Sequence, residues 1–166
     1  MQYIGNYESW IKQEWMDYMI SNQGFARPGN KVLENDFEIQ QNKFCANQGY
    51  TNFTYMYKFE PENFPFELSI PLENETCIMW WFIKMLPGNL LPMHTDQETS
   101  IGEKINLYWM ALTDYQPGHV LICADQFLSN YKKGDLFKFD NANDLHGSCN
   151  IGFTTRLVFN FTTIKE

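Results

Sequence analysis

Residues 153–164, FTTRLVFNFTTI, decide the fold. Side chains on a strand alternate between faces, so Arg156, Val158, Asn160 and Thr162 share one side and Leu157, Phe159 and Phe161 the other. The apolar set is expected to lie under a helix. The other set opens with an arginine, and an apolar interior cannot hold that charge unpaired without a penalty on the order of several kcal/mol. A bound carboxylate is its natural partner.

Upstream, short strand-like runs alternate with Gly and Pro turns. TNFTYMYKF (51–59) alternates cleanly and reads as a half-buried strand. CIMWWFIKML (77–86), LLPMHTD (90–96), KINLYWMALTD (104–114), HVLICADQFL (119–128), LFKF (136–139) and Asp144–His146 follow, with Gly147 to Gly152 read as a turn. Lys84 marks one face of the 77–86 strand as solvent-facing, which leaves Met79, Trp81, Ile83 and Met85 as its inner face. Near the N-terminus, Tyr7, Trp10, Ile11, Trp15, Tyr18 and Met19 fall at helical spacing, predicting an amphipathic helix over 7–19. Gly24 and the Arg27–Asn30 turn end it; residues 31–49 and the proline-bearing stretch 60–75 read as loops. Some eight short strands fronted by one helix predict a mostly β jelly roll, a cupin-like double-stranded β-helix of two facing antiparallel sheets. A single domain spanning 1–166 is expected, with residues 1–76 as helix and lid and 77–166 as the catalytic core.

Composition excludes several function classes. With 44% hydrophobic and 17% aromatic residues the chain can bury a core, so disorder is excluded. A net charge of −8 repels nucleic acid and anionic membranes alike, so neither partner is expected. No apolar run approaches the roughly 20 residues a membrane span needs, and the first residues, MQYIGNYESW, form no secretory signal. The four cysteines make no C-x-x-C pair; free thiols and a cytoplasmic location are the expectation. Arginine is rare, only Arg27 and Arg156 against ten lysines, so an arginine placed within a strand is expected to serve through its bidentate fork.

The chemistry sits in three places. His94 and Asp96 lie on one face of one strand, at i and i+2, and can supply two adjacent ligands to a metal. His146, far along the chain and just before a glycine, can supply a third from another strand. Two imidazoles and one carboxylate leave coordination positions open for co-substrate and O₂. Arg156 follows on the last strand. His119, after Pro117-Gly118, reads as a turn residue that starts a strand.

His94-x-Asp96, Gly134-Asp135-Leu136-Phe137-Lys138-Phe139-Asp140, Leu145-His146-Gly147 and Arg156-Leu157-Val158-Phe159 together resemble the Fe(II)/2-oxoglutarate-dependent dioxygenases, over about residues 77–164. The resemblance implies that His94, Asp96 and His146 ligate Fe(II) and that Arg156 holds the distal carboxylate of 2-oxoglutarate, with O₂ as the second co-substrate. Position 158 is Val where the plant-type enzymes carry Ser, and position 162 is Thr where the nucleic-acid demethylases carry a second Arg. The pattern is most similar to the prolyl and asparaginyl/aspartyl hydroxylase-like group and to bacterial hydroxylases of free amino acids. It implies a hydroxylase acting on an amino acid or a peptidyl side chain, so that the partner is a small molecule or peptide.

Asn106, Tyr108 and Met110 share a face that is expected to look inward, where Tyr108 could hydrogen-bond 2-oxoglutarate; an ordinary core tyrosine fits its sequence position equally well. Two other readings accommodate the same residues. A metal-dependent cupin enzyme that uses no 2-oxoglutarate explains the ligands and leaves Arg156 without a task. A non-catalytic jelly-roll binding module explains neither. The sequence does not specify oligomeric state or the substrate itself.

Overall fold

The computed structural model describes residues 1–28, 54–95, 105–141 and 144–165. In chain order they form β1 (Gln2–Asn6), a 3-10 turn (Glu8–Trp10), α1 (Gln13–Ser21), β2 (Phe25–Pro28), β3 (Thr54–Phe59), β4 (Glu75–Met85), β5 (Leu90–His94), β6 (Ile105–Ala111), β7 (His119–Cys123), β8 (Gln126–Leu128), β9 (Asp135–Lys138), β10 (His146–Asn150) and β11 (Arg156–Lys165). Seven strands make one sheet in the order β1-β9-β6-β11-β4-β3-β2, and four make a second in the order β5-β10-β7-β8. Neighbouring strands pair antiparallel throughout, for example β11 with β4 and β6, and β10 with β5 and β7. The fold is a mostly β double-stranded β-helix with one helix near the N-terminus, as the strand pattern predicts.

β11 is the central strand of the larger sheet, and its two faces go to different cores. Leu157, Phe159 and Phe161 pack with Phe82, Met110 and Leu136 beneath Trp15, Met16 and Met19 of α1. Val158 joins Ile83, Met85, Leu107, Trp109, Leu121, Cys123, Tyr131 and Phe139 between the two sheets. The helix-side core is dense in rings: Phe82 lies 4.7 Å from Phe159, and Trp10 lies 5.0 Å from Phe159 and 4.8 Å from Trp15. Ring contacts of this kind add to simple area burial.

Four expectations need correction. The helix starts at Gln13, not at Tyr7, because the Tyr7 N–H donates to the Gly134 carbonyl at 2.8 Å and is committed to the sheet. Gly134, at φ +87, permits that crossing; a Cβ there would lie 2.3 Å from the Glu8 nitrogen. Arg27 and Pro28, expected in a turn, instead belong to the edge strand Phe25–Pro28 paired to β3, where a proline is tolerated. The Gly147–Gly152 turn is in fact mostly strand β10.

Lys84 is the fourth. Its side chain does not face water: it is buried, and its ammonium donates to the carbonyls of Met19 (2.8 Å), Ile20 (3.0 Å) and Asn22 (2.8 Å). Those carbonyls end α1, where a helix leaves acceptors unpaired and its dipole favours a cation. Of the inner face expected for β4, Ile83 and Met85 lie between the sheets with Trp81 packed against them, whereas Met79, nearer the start of the strand, is exposed. The expected loop at 31–49 and positions 51–53 of the expected strand lie outside the described residues. Among the described residues, no helix is long and apolar enough to cross a membrane, and Cys77, Cys123 and Cys149 are free thiols.

Candidate metal and anion site

β5 and β10 pair so that His94 stands directly opposite His146, with ring centroids 4.4 Å apart and planes inclined by 52°. Two sequence features produce this. Pro92 has no N–H for a ladder bond and sits in an edge strand; beside it the register slips, so that Ser148 faces Leu91. Gly147 lets the backbones approach, because a Cβ there would lie 2.7 Å from Met93 Sδ and 3.0 Å from Met93 Cα.

The His146 ring is oriented from behind. Its Nδ1 donates to the Asp144 carbonyl at 2.8 Å, which leaves the lone pair of the neutral ring on Nε2. Phe139 meets the same ring edge-on at 5.1 Å and 70°. Such a backing hydrogen bond is what a metal-ligating histidine needs to fix tautomer and direction. This donor set fits a divalent metal as far as it extends. Asp96 lies outside the described residues, so two of the three expected ligands are seen together. No group of three or more His, Cys, Asp or Glu suited to a metal occurs among the described residues. Cys123 faces His146 from β7, but burial pushes its thiol up to about 11 and keeps it protonated.

The same strand carries the second half of the site. Ser148 is two residues past His146, a step of about 6.8 Å along one strand face. Its Oγ accepts from Arg156 Nη1 at 2.6 Å, and the same nitrogen donates to the Val120 carbonyl at 2.8 Å. Arg156 has no solvent exposure. Its guanidinium carbon lies 5.5 Å from the centre of the Trp109 ring and 5.9 Å from that of Tyr131.

Arg156 Nε and Nη2, Tyr131 Oη and His119 Nδ1 are all buried without a hydrogen-bond partner among the described residues. Burial lowers the pKa of Arg156 and raises that of Tyr131; charge and a loose side-chain hydrogen-bonding contact between the two oppose both shifts, and the Arg156 charge also opposes the rise in the Cys149 thiol. Burial and the same cation both lower His119, so its imidazole is neutral. A buried cation flanked by unpaired polar atoms is the arrangement that a bound anion satisfies.

Tyr108 is not part of this arrangement. The inward face of β6 carries Leu107, Trp109 and Ala111, in register with the Arg156 face of β11 through Trp109 opposite Asn160. Tyr108 points to the helix side, its ring stacked on Phe161 at 4.7 Å and 11° and its hydroxyl donating to Glu75 at 2.5 Å. Both faces of β6 are apolar enough to be buried, so alternation alone did not choose between them. His119 starts β7 as expected but is fully buried on the face shared by Leu121 and Cys123. That parity is readable in HVLIC; Tyr131, at the start of the turn into β9, carries no periodic signal.

No family model matches the sequence, and no curated protein matches it at a significant level. Solved structures do. The chain is similar to AviO1 from Streptomyces viridochromogenes Tue57, with TM-score 0.60 and 12% identity over 92% of this chain and 82% of that one. It is also similar to a cupin 2 conserved barrel domain protein from Salinispora arenicola CNS-205, at TM-score 0.40 and 12% identity over 64% and 74% of the two chains. A non-heme monooxygenase, ThoJ in its nickel complex, aligns at TM-score 0.46 and 16% identity over 57% and 46%. At 12% identity the likeness to AviO1 concerns the fold alone.

Proposed function

We propose that this chain is an Fe(II)/2-oxoglutarate-dependent dioxygenase that hydroxylates an amino acid or a peptidyl side chain, of the prolyl or asparaginyl/aspartyl type. The observation that carries the reading is Arg156: fully buried, with Nε and Nη2 unpartnered among the described residues, and tied through Ser148 to the strand that bears His146. A site that binds metal alone has no use for a buried fork of donors beside it.

His94 and His146, with Asp96, would hold the iron. Bound there, Fe(II) supplies O₂ activation, coupled to conversion of 2-oxoglutarate and O₂ into succinate and CO₂ while one oxygen atom enters a substrate C–H bond. The rest falls to the chain's own side chains. Arg156 binds the distal carboxylate by a charge-assisted fork, Tyr131 Oη adds a donor beside it, and the Trp109 ring walls the anion from water. Low dielectric strengthens each of these contacts. The acidic surface and Thr162 favour a small molecule or short peptide over nucleic acid, and a cytoplasmic setting suits Fe(II) and free thiols.

The test is a succinate-release screen with Fe(II) and ascorbate over proline, asparagine, peptides containing them, and alkylated oligonucleotides. Turnover stimulated by an amino acid or peptide is expected. Stimulation by oligonucleotides alone overturns the substrate class, and absence of 2-oxoglutarate binding overturns the reading as a whole.

A further inference from the structure

His119 has no task in the reading above, and its surroundings are unusual. The ring is fully buried, Nδ1 has no partner among the described residues, and Nε2 faces one residue, Thr154, through two different atoms. The Thr154 carbonyl oxygen lies 3.2 Å from Nε2 and the Thr154 hydroxyl 3.1 Å from it. A carbonyl only accepts, whereas a hydroxyl can donate. Thr154 therefore satisfies Nε2 in either neutral tautomer: protonated Nε2 donates to the carbonyl, and bare Nε2 accepts from the hydroxyl. The carbonyl is also held in place, because Asn150 Nδ2 donates to it at 2.7 Å.

What differs between the tautomers is Nδ1, which bears a lone pair in the first and an N–H in the second. Val120, next in the chain, offers its carbonyl to Arg156 Nη1, and the Arg156 charge is felt at the His119 ring, so His119 shares the electrostatic surroundings of the guanidinium. A carboxylate bound at Arg156 repels a nearby lone pair and attracts a nearby N–H, so it favours the tautomer with the proton on Nδ1. The other titratable groups near the Arg156 guanidinium are Tyr131, just before the turn into β9, and Cys149 on β10, and neither is an anion at neutral pH.

Resting on the functional reading above, we propose that His119 is a tautomer-switching positioning residue of the anion subsite. When a carboxylate binds at Arg156, the neutral ring moves its proton from Nε2 to Nδ1, Nδ1–H donates to the carboxylate, and Thr154 Oγ1 donates to Nε2. One N–H bond breaks and one forms, with no net proton uptake. The subsite then offers donors from three elements, which favours a carboxylate over a neutral amide at the far end of the co-substrate.

The chain has three histidines and two arginines, so imidazole and guanidinium nitrogen signals are resolvable by NMR in the full protein. With oxygen excluded and 2-oxoglutarate added at saturation, His119 Nδ1 is expected to change from pyridine-like to pyrrole-like while Arg156 Nε–H shifts. A shift at Arg156 with His119 unchanged overturns this proposal alone. No shift at either residue overturns the functional reading with it. In kinetics, His119→Phe and Thr154→Val are each expected to raise KM for 2-oxoglutarate about tenfold, the loss of one hydrogen bond to a charged group. Thr154→Ser, which keeps the hydroxyl, should restore KM, and kcat should hold within about twofold in all three. If Thr154→Ser behaves like Thr154→Val, the hydroxyl is not the donor and the switch fails.

Discussion

The two faces of β11 bury polar groups in opposite ways. On the helix side the charged groups are paired: Lys84 has three carbonyls, and Glu75 accepts from Tyr108, Thr163 and, at 3.4 Å, Asn106, while the uncharged Trp15 indole N–H is left without a partner among the described residues. On the side facing the second sheet, Arg156, Tyr131 and His119 leave four atoms unpaired among the described residues. Desolvating a charge and then leaving its donors unused lowers stability, so the second face gives up stability that the first keeps, which is the cost expected of the proposed anion site. Proteins commonly break their own packing rules where they work.

The contrast can be broken at its strongest point first. His94→Ala or His146→Ala removes one imidazole from the pair and should abolish 2-oxoglutarate turnover, a loss of at least about a hundredfold. Titration with Mn(II) should show the metal affinity gone as well, while far-UV circular dichroism stays that of the parent. Retained turnover in either variant would sink the metal assignment.

Lys84→Met and Arg156→Met set the two faces directly against each other. Losing Lys84 strands three carbonyls at the end of α1 and should cost about 3 kcal/mol in urea unfolding, with activity per folded molecule kept. Losing Arg156 removes a buried charge that the described protein groups satisfy at one nitrogen only. Stability should stay the same or rise by about 1 kcal/mol, while KM for 2-oxoglutarate climbs more than about tenfold. Equal destabilisation by both variants would erase the distinction. A smaller effect is expected from Gly147→Ala: the added methyl meets Met93, so β5 must shift, at a cost of about 1–3 kcal/mol. Because that shift moves His94, weaker Mn(II) binding should accompany the lower midpoint, and an unchanged metal affinity would show that the close approach serves packing alone.

How much of this was legible in the sequence depends on which force chose the conformation. Strand parity is local, so the faces of β11 and β4 could be read from FTTRLVFNFTTI and CIMWWFIKML, and the pairing of His94 with His146 was anticipated as a shared site. Tertiary choices were not legible. β6 has two burial-competent faces, and only its partners turn Trp109 inward and Tyr108 away. Lys84 read as a solvent marker because nothing local announces that a helix end lies above it. Spacing alone starts the N-terminal helix too early, because Tyr7 and Trp10 keep helical spacing while the backbone at Tyr7 is claimed by Gly134. His119 and Tyr131 escape the sequence for a related reason: a histidine after Pro-Gly and a tyrosine at a turn look like surface residues until the second sheet closes over them.

The smallest effect is a pH dependence on the ligand side. Burial and the nearby Arg156 cation hold the His119 pKa below its ordinary value in the folded protein. The unfolded chain therefore binds a proton first as pH falls through about 6.5, while folded His119 stays neutral. Unfolded protein then carries more bound protons than folded protein, and stability rises with pH across the window between the folded pKa and 6.5. Between pH 5 and 7, wild type should lose stability toward acid by up to about 1.4 kcal/mol per pH unit more steeply than His119→Gln, which cannot titrate. Comparing urea midpoints of the two proteins across that range isolates the residue from the other acid-sensitive groups they share. Saturating 2-oxoglutarate should leave the difference in slope in place, because a neutral, tautomer-shifted His119 still resists protonation beside Arg156. If the ligand instead abolished it, His119 would be binding the carboxylate as a cation, and the anion subsite would be proton-coupled.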